Sequence, residues 1–266
     1  MARLSRVNRA SGRRKLSTRL IRKGALLDDT RRVFLEWDIS MSFDQNLSRA
    51  RNLNTPAADN NDWLKEVLAT FSSRWRYEPR LSTIVKLVQR ADRDIFCPCI
   101  LWHIGQVDEL YYRFATEWLF DEYEAGTYLL RTADLVPFVE KVTASRAAER
   151  KGLSQYGLDR ASRDLFRMAA AFGLLKGSAV REFNSYHLPE ESFLYLIYTM
   201  HEEYGNAQAV LHSQDWRLFL MSTDAVEREL FRLHQLKKLR YEVAGSLVEL
   251  TLPYRSAAAF VEEMAA

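Results

Sequence analysis

The chain has 266 residues, of which 47% are hydrophobic, 12% aromatic and 27% charged. Ten glycines and six prolines amount to roughly half of ordinary usage, which excludes collagen-like, linker-like and low-complexity chains and leans towards helix. Two cysteines exclude a disulfide scaffold, and the longest uncharged apolar stretch, Ile95 to Val107, has 13 residues against the ~18 of a membrane helix.

The net charge of +3 hides an asymmetry. Residues 1–27 carry Arg3, Arg6, Arg9, Arg13, Arg14, Lys15, Arg19, Arg22 and Lys23 and no acid, while the remaining 239 residues carry 29 basic and 35 acidic groups. Residues 1–17 read as a basic flexible arm, because such a run buries too little apolar surface to offset its ordering. A solvated tail, a mitochondrial transit peptide and a polyanion-binding arm all fit this composition. Leu4, Val7 and Leu16 make only a thin apolar stripe, which weakens the transit reading. Clustered Arg and Lys gain free energy by releasing counterions from nucleic acid, which favours the third.

Residues 18–150 read as an all-helical domain. Thr18 to Trp37 is one expected helix and Phe43 to Arg51 a second. The run Asn54-Thr55-Pro56 predicts the start of a third, with Thr55 as N-cap and Pro56 at the first helical position, running through Trp63, Leu64, Val67, Leu68 and Phe71 to Trp75. Arg49 and Arg51 end one of these helices, and Arg74, Arg76 and Arg80 end the next. Segments near 81–91, 94–104, 107–123 and 134–150 continue the pattern. The polar stretch Thr143 to Gly152 is the expected boundary, leaving 151–266 as a second part.

That second part twice shows a helix followed by a short hairpin. Leu158 to Phe172 leads through Gly173–Gly177 into Ala179 to Leu188, with an expected turn at Asn184-Ser185. Asp224 to Leu239 leads into Arg240 to Ala244, a Gly245-Ser246 turn and Leu247 to Leu252. Helices at Glu190 to Tyr204, within 206–220 and at Ala257 to Met264 complete the chain. Helix then hairpin is the order of a winged helix-turn-helix. The expected fold class is therefore mainly α, a helical N-terminal domain plus C-terminal winged helix-turn-helix elements with short β-hairpins.

On the first of these helices Ala161, Leu165, Met168, Ala169 and Phe172 form a core face, and Arg163, Arg167 and Arg160 fall roughly 200°, 240° and 260° away from Ala161. Such a ridge suits phosphates or guanine edges, with Asp164 as a local counter-charge. Arg228, Arg232 and Lys238 form a second, weaker basic surface flanked by Glu227 and Glu229.

No phosphate-binding glycine loop, dinucleotide fingerprint or nucleophile elbow occurs. Cys97-Pro98-Cys99 with His103 lacks a fourth zinc ligand at usual spacing and reads as buried thiols in an apolar segment. Glu149-Arg150-Lys151 resembles a nuclease E-x-K but sits in a helical or linker pattern, and the aromatic run Trp102 to Tyr123 reads as helix packing. No catalytic residue, metal ligand or small-molecule cofactor is expected.

Leu16-Ser-Thr-Arg-Leu-Ile-Arg-Lys-Gly-Ala-Leu-Leu27 with Asp29-Thr-Arg-Arg32, Phe43-Asp-Gln-Asn-Leu47 leading into Asn54-Thr-Pro-Ala57, and Gly173-Leu-Leu175 before a hairpin resemble the BrxA family of BREX bacteriophage-exclusion systems, over about residues 16–252. The resemblance implies a NusB-like helical part, helix-turn-helix elements and non-enzymatic DNA binding. It also implies work beside a methyltransferase and an ATPase in bacterial and archaeal cytoplasm, with no membrane partner. Residues and resemblance together predict a double-stranded DNA-binding protein of antiviral defence. Its expected contacts are the arm cations, Arg160, Arg163 and Arg167, and the second surface. An RNA-binding assembly factor and a protein-interaction subunit of the defence complex are the alternatives.

Overall fold

A computed structural model describes residues 14–144, 152–245 and 247–264. The fold is mainly α with two small antiparallel sheets. The first helices are α1 (Thr18–Ile21), α2 (Leu27–Leu35), α3 (Phe43–Asn52), α4 (Asn61–Trp75), α5 (Leu81–Arg90) and α6 (Arg93–Gly105). The sequence predicts a single helix from Thr18 to Trp37; the chain instead breaks it between α1 and α2. Gly24 and Leu26 adopt left-handed backbone, with φ of 71° and 51°. A side chain distant in sequence holds this break. The buried Arg74 guanidinium donates to the carbonyls of Leu20, Gly24 and Ala25 at 2.9, 2.7 and 2.9 Å, satisfying acceptors that a continuous helix would have used itself.

The start of α4 also differs from expectation. Thr55 and Pro56 lie in a turn, because Asn54 closes a loop of its own: its side chain accepts from the Ala58 amide and donates to the Ala58 carbonyl, both at 2.9 Å. The N-cap is Asn60, whose side chain accepts from Trp63 N at 2.8 Å. Asparagine at both positions makes local side-chain bonds that compete with helix, so the earlier cap signal loses to the later one.

Residues 107–123, predicted as one helix, are α7 (Glu109–Arg113), a π-helical turn at Phe114–Leu119 and α8 (Phe120–Glu124). Next come β1 (Leu130–Arg131), α9 (Thr132–Ala144), α10 (Gln155–Ala171), β2 (Leu175–Gly177) and β3 (Val180–Phe183). The sheet order is β1-β3-β2, with Leu130 opposite Arg181 and Leu175 opposite Phe183. Strand β1, unforeseen in the sequence, turns the first hairpin into a three-stranded sheet. The hairpin reverses at residues 178–179 rather than at Asn184-Ser185. Gly177 has φ of 88°, and a Cβ there would stand 2.4 Å from the Val180 carbonyl oxygen, so only glycine fits. Asn184 instead fastens the strand end, donating from its amide to Leu174 O and from its side chain to Gly173 O.

The chain continues through α11 (Glu190–Tyr204), α12 (Ala207–Leu211), a 3-10 turn (Gln214–Phe219), α13 (Thr223–Gln235), β4 (Arg240–Ala244), β5 (Leu247–Thr251) and α14 (Ala257–Glu263). Strands β4 and β5 pair in the expected register, Ala244 opposite Leu247, around Gly245. Helix α6, buried on nearly every side, packs on α11, while α9 packs on α10 and α14 on α5 and α11. The buried apolar side chains, from Ile21 to Val261, form one connected cluster spanning both the helical part and the helix–hairpin units. Among the described residues, no helix is long and apolar enough to cross a membrane.

Candidate nucleic-acid interface

The sequence of α10 sets its orientation. Ser154 caps it, accepting from Gly157 N at 3.3 Å. Leu158, Ala161, Leu165, Met168 and Ala169 are buried, so the arginines on the opposite side face outwards, with Arg163 and Arg167 exposed and Arg160 half-exposed. Asp164 lies beneath them with its side chain only 3% exposed. Arg167 donates to its Oδ1 at 2.8 Å, and Arg160 Nε stands 4.0 Å from its Oδ2. Burial pushes this carboxyl above its usual range, and the charges of Arg167, Arg160, Arg163 and Arg22 pull it back down.

Arg22 comes from elsewhere in the chain. Helix α1 packs against α10, and Arg22, which caps the C-terminus of α1, is exposed. Arg181 on β3 approaches from the hairpin: its guanidinium donates to Gly177 O, and its pKa is lowered by burial and by the Arg167 charge. Arg160 and Arg167 thus flank one buried carboxylate, on which the charges of Arg163 and Arg22 also act, while Arg181 of the hairpin feels the Arg167 charge. The sequence reading missed Arg181, because its register depends on β1, and it did not connect Arg22 with the ridge.

The other predicted cations are placed differently. Arg3, Arg6, Arg9 and Arg13 lie outside the described residues. Arg14 turns inwards: it lies 3.4 Å from the Tyr112 ring centroid, donates to Gly105 O at 2.9 Å and to Gln106 at 3.2 Å, and stands 3.5 Å from Asp215. Lys15 is exposed, with its backbone bonded to Val107 O and Glu109 N. Arg19 is exposed on α1, and Lys23 pairs with Glu66 over the Trp63 ring.

On α13, Arg228 is exposed. Arg232 is clamped by Glu229 at 2.6 Å and by Glu190 at 2.8 Å, bonds that push its pKa up. Lys238 stands 3.7 Å from the same Glu190. The second surface therefore mixes both charges, and Phe231, Leu236, Val243 and Leu247 add exposed apolar area. At the end of α4, Arg76 pairs with Asp44 at 2.7 Å, and Arg80 with Glu202 and Glu203 at 3.1 and 3.0 Å.

Two buried polar networks escaped the sequence reading. Asp215 accepts from Trp102 Nε1 at 2.7 Å, Gln106 Nε2 at 2.9 Å, Tyr112 Oη at 2.8 Å and Tyr204 Oη at 2.7 Å. His103 sits between Glu78, 3.2 Å from Nδ1, and the Tyr195 hydroxyl, 2.8 Å from Nε2. Burial pushes the Cys97 thiol up to about 11, and Cys99 lies fully inside, donating to Ile95 O.

Fold and site define a predominantly helical protein with two helix–hairpin units, of which one carries a basic face. The BrxA family model matches residues 14–200, and the chain belongs to the BrxA family, which places it in the BREX phage-defence systems. The match contains α1, α10 and the first hairpin and ends before the second helix–hairpin unit. No curated protein and no solved structure matches the chain significantly.

Proposed function

We propose that this chain is a non-enzymatic double-stranded DNA-binding component of its BREX system, and that α10 with β2 and β3 acts as a winged helix-turn-helix unit. One observation carries the reading: Arg160, Arg163 and Arg167 face outwards along one side of α10, while Asp164, the carboxylate that Arg167 bonds at 2.8 Å and Arg160 approaches to 4.0 Å, is buried beneath them. A helix about 10–12 Å across matches a major groove about 12 Å wide, and guanidinium forks on its outer side meet phosphates and guanine edges. Backbone contacts supply affinity without much sequence preference. Apart from Arg14, which turns inwards, the arm cations extend the same electrostatic footprint. A defence-system methyltransferase or ATPase is the expected protein partner, in the cytoplasm.

The test is a labelled duplex titrated with the wild-type chain and the Arg160→Ala/Arg163→Ala/Arg167→Ala variant at several salt concentrations. Losing three phosphate contacts lowers the log–log salt slope by about 2.7, at about 0.9 per contact. The loss should be similar on every sequence. Unchanged affinity and slope would refute the reading, and tighter binding to structured RNA at equal salt would shift it to RNA.

A different observation favours a protein partner for the second unit. Two of its cations, Arg232 and Lys238, are paired with Glu229 and Glu190, and its exposed side chains include Phe231, Leu236, Val243 and Leu247. Co-purification with another BREX component that survives nuclease treatment, and is lost on Leu247→Asp, tests this role.

A further inference from the structure

The basic face ends in an aromatic ring. Tyr156, in the first turn of α10, is 69% exposed. Arg160, Arg163 and Arg167 follow it by four, seven and eleven residues, so all four side chains share one stripe of the helix. At 1.5 Å per residue the arginines stand about 6, 10 and 16 Å further along the axis. Among the described residues no hydrogen bond, ring pair or cation contact involves Tyr156. Asp159 borders the stripe, with its carboxylate accepting from Gln155 at 3.0 Å. Another exposed aromatic, Phe231 on α13, already packs edge-on against Tyr241 with centroids 4.9 Å apart, beside a charge-paired arginine.

Resting on the DNA-binding reading above, we propose that Tyr156 is a base-stacking element. The ligand of this face is then DNA in which a nucleotide next to the bound backbone is unpaired, as where duplex meets single strand. In a paired stack the flat faces of bases are covered, and a tyrosine can reach only phosphates and edges. An unpaired base offers its π-face, and a ring in line with phosphate-binding arginines is placed to receive it. Such stacking tolerates any sequence, in keeping with a face whose other groups are phosphate contacts. The phenol ring, rigid beyond two torsions, loses little entropy in that contact.

The experiment compares the full chain on a blunt duplex and on the same duplex with a short single-stranded extension, at one salt concentration. 2-Aminopurine is the first unpaired base. The wild-type chain should bind the extended DNA about 5- to 150-fold more tightly, the range of aromatic–base stacking, and should quench the probe. Tyr156→Ala should lose the preference and the quenching while keeping blunt-duplex affinity, and Tyr156→Phe should keep both. Tyr156 is exposed, so neither variant disturbs the fold, and unchanged circular dichroism confirms that. Equal binding of the two DNAs by the wild-type chain, or an undiminished preference in Tyr156→Ala, overturns the inference while leaving DNA binding intact. Loss of preference in Tyr156→Phe overturns it too, by assigning the contact to the hydroxyl. Absence of binding to either DNA overturns the inference together with the DNA-binding reading, recognisable because the blunt-duplex signal is then missing as well.

Discussion

Replacing Asp215 with asparagine tests how the root of the basic arm is fastened to the body. Its carboxylate collects bonds from Trp102, Gln106, Tyr112 and Tyr204, at 2.7–2.9 Å, and faces Arg14. The side chain is 2% exposed, so water cannot replace what is lost. Bonds to a charged acceptor are about twice as strong as neutral ones, so neutralising the acceptor weakens each of the four by about 1 kcal/mol. The new amide also points one donor face at Tyr112 and Arg14, where an acceptor stood. Asp215→Asn should therefore destabilise by about 3–4 kcal/mol, or about 10 °C in melting temperature for a chain of this size. Tyr112→Phe and Tyr204→Phe should each cost about 2 kcal/mol, and about 1 kcal/mol in the Asp215→Asn background, since the partner they lose is already weakened. Arg14→Ala should cost about 1–3 kcal/mol, because it removes the bonds to Gly105 O and Gln106 and the Tyr112 ring contact along with a long ion pair. Urea denaturation with an unchanged m-value is the assay. A loss below about 1 kcal/mol for Asp215→Asn would refute the hub.

Three further outcomes are expected. Asp108 is fully buried beside Arg74, and burial raises its carboxyl to about 7 against hydrogen bonds from the backbone of α7 and the Arg74 charge. The unfolded chain gives up this proton at lower pH than the folded chain does, so this group's contribution to stability falls as pH rises from about 4 to about 7 and is flat above. Asp108→Asn, which still caps α7, should remove that slope, worth at most about 4 kcal/mol, in melts recorded across the same range. Glu190→Gln should free Lys238, while Arg232 keeps its pair with Glu229, and steepen the salt dependence of duplex binding by about 0.9 in log–log slope, at a stability cost below about 1 kcal/mol. No change in slope would mean that the second surface does not meet DNA. Gly177→Ala forces a Cβ against Val180 O at positive φ, and calorimetry should show a loss of about 1–3 kcal/mol.

Helical periodicity made most of α2 to α14 legible, because the apolar stripe of each helix is a property of its own residues. The core face of α10 and the outward position of its arginines followed from spacing alone. Features that depend on remote partners did not follow. The break after α1 needs Arg74, 50 residues from Gly24. Strand β1 has only two residues, too few for an alternation to show, and exists because β3 offers it an edge. The Asp215 hub joins residues up to 201 positions apart, and Arg14 in the sequence looks like any other cation of the arm.

The two helix–hairpin units look alike in sequence and differ in where their carboxylates sit. On α10 the acid that meets the arginines is Asp164, at i+4 from Arg160 and i−3 from Arg167, while Asp159 accepts from Gln155. Its short side chain keeps it beneath the arginines, 3% exposed, so it bonds Arg167 from below and leaves Arg160, Arg163 and Arg167 facing water. On α13 the acids are glutamates, longer and nearer the surface, with Glu229 18% and Glu190 26% exposed. They meet Arg232 at its own level and occupy the donors that a phosphate would need. Glu190 arrives from α11, 42 residues earlier, so no helical projection of α13 reveals it. The depth of the counter-charge, more than the number of cations, is what separates a face open to a polyanion from one already satisfied within the protein.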